Sequence, residues 1–220
     1  MKNIFLVTAI ILIFFYSGCE KVTDPVTDVD SFITAKTELT DVLQKAKTDF
    51  AADAKLAAIY GWNVSKAGKI DLLSTENAFV YGVQSNQLKR NEFYVPVYLA
   101  GPVKSPINFS TMLALVKDNS ASNILGKVFN RLSTISIDAS ANYKDSPATI
   151  DTALAHGGSS FIQQNAAAKI DMYLVPSKSI DTLNGFVNSA DWIVNFYTST
   201  KSFVIWINSA SGTVTKLSEN

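Results

Sequence analysis

Trp192-Ile193-Val194-Asn195-Phe196-Tyr197-Thr198, followed after Ser199-Thr200 by Lys201-Ser202-Phe203-Val204-Ile205-Trp206-Ile207-Asn208, is the passage that decides the fold. Both runs are rich in β-branched and aromatic residues and too short for buried helices, so they predict neighbouring strands. Alternation puts Trp192, Val194 and Phe196 on one side, and separates Phe203, Ile205 and Ile207 from Val204 and Trp206. A closing strand is expected at 213–217 and an earlier one at 169–175.

Upstream, 147–155 reads as a helix, with Pro147 suited to its first turn and Gly157-Gly158 to its end, and a further helical piece is expected at 160–164. Near the start, Phe32, Ala35, Leu39, Val42, Leu43, Ala46, Phe50, Ala54 and Ala57 recur three or four apart. That spacing predicts an amphipathic helix over 31–60, with a break near 49–53 and a stop at Gly61. Strands are expected at 69–73, 78–84 and 92–100, with Pro96 marking an edge or bulge. A Pro-containing connector leads to the stretch 108–116, then to 122–132, read as helix, and 133–139, read as strand.

The two halves share an order and some local sequence. Gly68-Lys69-Ile70-Asp71-Leu72 stands beside Ala168-Lys169-Ile170-Asp171-Met172, Phe79-Val80-Tyr81 beside Trp192-Ile193-Val194, and Gly101-Pro102-Val103 beside Gly212-Thr213-Val214. Together they predict a divergent duplication. The expected class is α+β: two repeats, 32–120 and 121–220, each a helix packed on an antiparallel β-sheet.

The alternating Trp192, Val194 and Phe196, the run Phe203-Val204-Ile205-Trp206-Ile207 and the ending Asn208-Ser209-Ala210-Ser211-Gly212-Thr213-Val214 resemble the PepSY-like and cystatin-like small extracytoplasmic modules. Asn208 stands where that family usually has Asp. The resemblance implies a helix on an antiparallel sheet and a noncatalytic envelope module, of a kind proposed to restrain peptidases or sense the state of the envelope.

The first eighteen residues carry Lys2 and Asn3, then an apolar run from Ile4 to Tyr16 broken by Thr8. This run falls short of the ~20 residues a membrane-spanning helix needs and ends in small residues, so 1–18 reads as a secretory signal peptide. Tyr16-Ser17-Gly18-Cys19 resembles the lipobox of bacterial lipoproteins, which implies cleavage before Cys19 and acylation of its thiol. Cys19 is the single cysteine, so an intramolecular disulfide does not account for it; ordinary secretion with an incidental Cys19 is the alternative. Residues 19–31 read as an extended tether, because Pro25 disfavours helix at Asp24 and there is no helical apolar face. The expected location is extracytoplasmic, with the lipid holding the chain to a bacterial membrane, the outer membrane foremost.

Nineteen Lys and Arg balance nineteen Asp and Glu without a basic cluster, which argues against nucleic acid as a partner. His156 is the single histidine, and His156-Gly157-Gly158 invites comparison with an esterase oxyanion loop. A Gly-x-Ser-x-Gly nucleophile and a second histidine are missing, so a hydrolase using His156 with Ser159 or Ser160 is the weakest reading. One histidine and one cysteine cannot furnish a zinc site, and neither Gly-rich phosphate motif occurs. Expectation is therefore for no catalytic residues, no metal and no cofactor, with Glu76, Glu92, Asp171 and Asp191 as unassociated carboxylates.

In the third strand, Phe93, Val95, Val97 and Leu99 alternate with Tyr94, Pro96 and Tyr98. If the first set faces the helices, Tyr94, Tyr98, Tyr197 and Trp206 form an aromatic platform for a peptide or glycan, or else a buried interface between the repeats. The functional expectation is a noncatalytic, lipid-anchored envelope module that binds a protein or peptide through its sheet surface or an edge strand, with peptidase inhibition implied by the resemblance. The alternative is a structural lipoprotein with homotypic contacts.

Overall fold

The computed structural model describes residues 30–105, 126, 135–137, 139, 141–176, 190–209 and 211–219. The expected signal peptide 1–18, Cys19, the expected tether up to residue 29 and the stretch 108–116 lie outside the described residues, as does 122–132 apart from Gly126. The chain divides into Met1–Asp30 and a compact unit Ser31–Asn220.

Strands β2 (Lys55–Trp62), β4 (Ala78–Ser85), β5 (Arg90–Val97), β6 (Gly101–Lys104), β7 (Lys169–Pro176), β8 (Ala190–Tyr197), β9 (Ser202–Asn208) and β10 (Val214–Glu219) form one antiparallel eight-stranded sheet. Its order is β10-β9-β8-β7-β2-β4-β5-β6, so two four-stranded meanders abut through their first strands, β2 and β7. A small sheet pairs β1 (Phe32–Ile33) with β3 (Ile70–Asp71). Helix α1 (Leu39–Asp49) precedes the first meander. Helix α2 (Ser146–Ala153), a π-helical turn Leu154–Gly158 and helix α3 (Ser159–Gln164) precede the second. The α+β class is thus established, with the sheet continuous across both halves.

The long helix expected over 31–60 is corrected. Only Leu39–Asp49 is helical, and Lys55–Trp62, with Gly61 inside it, is a central strand. Ala57 and Ala58 are fully withdrawn from solvent, so tertiary pairing on both edges of β2 overrides the helical preference of an Ala-rich segment. A bulge between Leu56 and Ala58 also breaks the strand's two-residue period, which disguises it further. The expected strand at 69–73 shrinks to Ile70–Asp71, and 92–100 ends at Val97, after which β6 begins at Gly101. Of 133–139, the described positions 135–137 are irregular, although Ile137 is buried and donates its N–H to the Leu56 carbonyl at 2.6 Å.

Both sheet faces are apolar. On the helix side Phe79, Tyr81, Met172, Trp192, Phe196 and Ile205 pack with Val42 and Ala46 of α1 and with Ile150, Ala153 and Phe161 of the α2–α3 pair. The opposite face gathers Tyr60, Val80, Phe93, Tyr173, Val175, Ile193 and Val204, all buried. Each large apolar side chain so buried contributes about 1.5–3 kcal/mol. Double-sided burial explains why β7 and β8 read as nearly continuous apolar runs.

The Gly157-Gly158 pair decides how the α2–α3 helices approach the sheet. Gly157 takes φ +115°, and a Cβ there would stand 2.8 Å from the Phe203 ring; at Gly158 it would stand 2.4 Å from that of Phe196. The glycines therefore do more than end a helix: they let backbone rest directly on the aromatic core.

A polar knot fixes the start of α2. Asp145 accepts from the Ser146 N–H at 2.7 Å, from Thr34 Oγ1 at 2.6 Å and from the Lys36 N–H at 3.1 Å. Ser146 Oγ accepts from the Ala35 N–H at 2.9 Å and donates to the Gly68 carbonyl at 2.6 Å. One helix cap thus ties together three segments remote in sequence.

Of the three matched sequence pairs, one occupies corresponding strands in full. Phe79-Val80-Tyr81 lies in β4 and Trp192-Ile193-Val194 in β8, each the second strand of its meander, with the outer residues of each triplet on the helix side. Gly101 and Gly212 share a positive φ, +71° and +73°, but Gly101 is the first residue of β6 whereas Gly212 lies two residues before β10. The third pairing is overturned: Ile70-Asp71 lies in β3, outside the large sheet, whereas Ile170-Asp171 lies in β7, whose positional counterpart is β2.

Candidate functional site

Where β2 meets β7, the non-helix face carries a buried carboxylate. Asp171 follows Ile170 on β7; Ile170 turns into the helix-side core, so alternation sends Asp171 the other way, opposite Asn195 of β8. Asp171 Oδ2 accepts the Tyr60 hydroxyl at 3.0 Å, while Oδ1 accepts the Asn63 N–H at 2.9 Å and the Tyr197 hydroxyl at 3.3 Å. Tyr60 and Tyr173, directly paired across the seam, stack with centroids 4.8 Å apart and planes 17° from parallel. Strands β2, β7 and β8 are thus joined by one polar-aromatic cluster.

The Asp171 side chain is almost wholly withdrawn from water, at 1% exposure. Burial pushes its carboxyl up to about 6, against the pull of the Asn63, Tyr60 and Tyr197 hydrogen bonds and of Lys169. The hydroxyls of Tyr60, Tyr173 and Tyr197 are raised, first by burial and then by neighbouring charge and hydroxyls, so all three stay protonated at neutral pH. Chemically this is a carboxylate whose donors are already committed and which titrates near neutrality.

A second buried carboxylate shares the face. Asp191 accepts from Trp206 Nε1–H at 3.0 Å through Oδ2 and from the Ser209 N–H at 3.3 Å through Oδ1. It lies four residues along β8 from Asn195, the partner of Asp171, which places the two aspartates roughly 13 Å apart along the strands. That is wider than the roughly 5–9.5 Å of paired-carboxylate glycosidases. Glu92 instead bonds Lys104 at 2.9 Å, and Glu76 is exposed.

The aromatic platform does not assemble. Tyr94 belongs to the helix-side core, fully buried opposite Tyr81, and its hydroxyl has no hydrogen-bond partner among the described residues. The assumed face of the third strand is inverted, because Phe93 and Val95 lie on the far face. Tyr197 and Trp206 do share that face, but each is committed to a different aspartate, and Tyr98 sits in the turn after β5. His156 meets the Thr152 carbonyl through Nδ1 at 2.8 Å. Among the described residues no hydrogen bond joins it to a serine hydroxyl, and Ser159 and Ser160 are exposed on α3.

At the β6 end of the sheet the surface is apolar. Val97, Leu99 and Val103 are 40%, 79% and 38% exposed around the β5–β6 hairpin, with Val97 opposite Gly101 and Val103 opposite Val95. Among the described residues no strand pairs with the outer edge of β6. Pro102 and Lys104 on that strand oppose indiscriminate strand pairing while leaving the apolar side chains on display.

Sequence reasoning missed the Asp171 cluster because the hydrogen-bond donors to Asp171 lie 26 to 111 residues from it. The available signal was local: Asp171 between Ile170 and Met172, and Asn195 between Val194 and Phe196, are polar residues inside apolar strands, where burial demands partners. Compared with known proteins, the chain matches no family model, no curated protein and no solved structure.

Proposed function

We propose that this chain is a noncatalytic lipoprotein of the bacterial envelope, anchored outside the cytoplasm through acylated Cys19, whose domain binds a protein or peptide at the β5–β6 end of its sheet. The observation that carries this reading is the cluster of Val97, Leu99 and Val103 at a sheet edge with which, among the described residues, no strand pairs. Edges of this kind recruit partners by strand addition, and exposed apolar side chains supply affinity beside it. The leader and its Tyr16-Ser17-Gly18-Cys19 box support the location.

Two copies of a PepSY-like or cystatin-like unit, 32–120 and 121–220, are the proposed origin of the fold. Support comes from the mirrored strand order about the β2–β7 seam and from the match of Phe79-Val80-Tyr81 in β4 with Trp192-Ile193-Val194 in β8. Peptidase restraint is the specific role that this resemblance implies.

A structural role with homotypic contacts is the second reading, favoured by the same hairpin, since two β6 edges can pair about a two-fold axis. Sedimentation of the purified chain separates the two: a Leu99-dependent dimer favours assembly, and a monomer that binds an envelope protein favours recognition. For the anchor, Cys19→Ser should move the chain from membrane to soluble fractions or arrest its maturation, and unchanged membrane attachment would overturn it.

A further inference from the structure

We infer that the cleft between α1 and the start of β2 is a binding site for a small amphiphile with an apolar body and a single carboxylate, of the long-chain fatty acid type. The cleft encloses about 590 Å³, within the roughly 300–1,000 Å³ of small-molecule sites. Its wall is apolar, formed by Leu39 and Leu43 of α1, Leu56 of β2, and Ile137 and Tyr143. The bulge after Leu56 interrupts the regular path of β2 at this wall.

The rim supplies the charge preference. Lys47 and Lys55 border the cleft and, among the described residues, neither is in an ion pair. Asp53, Asn86 and Ser136 are further polar residues of the lining. The Asp53 carboxylate already accepts the Ser85 hydroxyl at 2.6 Å and the Gln87 N–H at 3.0 Å. Among the described residues, two ammonium groups against one engaged carboxylate leave a net single positive charge over an apolar cavity, which complements one carboxylate on an apolar tail. A cationic or uncharged head would leave that charge unmatched.

The site lies within the compact unit Ser31–Asn220, so it can be tested on the mature chain from residue 19 with Cys19→Ser, which removes any acyl group of its own. Calorimetric titration below the micellar range would compare dodecanoate, dodecanol and dodecyltrimethylammonium. One dodecanoate per chain is expected, held about fivefold or more tightly than either other head group. The Lys47→Gln, Lys55→Gln double variant should erase that preference while keeping dodecanol binding, and Leu43→Glu, with its fold checked by circular dichroism, should abolish dodecanoate binding. Equal affinity for the three heads, a preference that survives loss of both lysines, or no binding at all would overturn the assignment.

Discussion

Tyr60 donates its hydroxyl hydrogen to Asp171 Oδ2 at 3.0 Å, across the seam where the two meanders join. The pair lies on the buried non-helix face and couples the junction of the sheet to a charge that burial disfavours. Removing the hydroxyl in Tyr60→Phe keeps the ring stack with Tyr173 but deprives the carboxylate of one of its donors. A loss of about 1.5–3 kcal/mol is expected at pH 7.5. Urea unfolding at pH 7.5 and pH 4.5 checks it, because the loss should shrink at the lower pH, where the carboxyl is protonated.

The carboxyl itself gives a pH signature. Its folded value is raised from 3.8 to about 6, so between those values the folded state holds a proton that the unfolded state has released. Stability from this group therefore falls as pH rises through that window, by about 3 kcal/mol in all. Asp171→Asn should remove this component, so that the stability difference between pH 4 and pH 7.5 differs between wild type and variant by that order. Parallel slopes in the two proteins would contradict the assignment.

The Gly157-Gly158 approach to the aromatic core has a simple test. Gly158→Ala places a methyl 2.4 Å from the Phe196 ring and 2.9 Å from the Ala153 carbonyl, both inside packed structure. Destabilisation of about 1–3 kcal/mol is expected by thermal or urea unfolding. Gly101→Ala meets no atom of the described residues within 4 Å and must contend with a φ of +71°, so it should cost less.

These relationships also explain what the residues reveal by themselves. Strands β4, β7, β8 and β9 are legible because Val, Ile, Phe and Trp cluster there between polar turns. Strand β2 is not, since Ala54, Ala57 and Ala58 continue the helical spacing of α1 and only pairing with β4 and β7 decides otherwise. Strand β6 hides behind Gly101 and Pro102, residues that normally punctuate turns, and is held by its register with β5. The inverted face of β5 has a tertiary cause: Tyr94 and Phe93 are both large and apolar, and alternation alone does not say which of two apolar faces meets the helices. The Asp171 cluster depends on long-range closure, so its polar members stand out in sequence while their partners do not.

The most direct measurement is site-specific photocrosslinking at Leu99 in membranes of cells that express the full chain, with Lys201, on the turn between β8 and β9, as the control position. The expected result is a discrete adduct with an envelope protein at Leu99 and none at Lys201. Binding of that protein, once purified, should fall at least tenfold in the Val97→Asp, Val103→Asp double variant, whose retained fold is checked by its unfolding transition because the two side chains are only 40% and 38% exposed. Adducts of the chain with itself alone, no adduct at Leu99, or undiminished binding by the folded variant would contradict recognition at the β5–β6 edge.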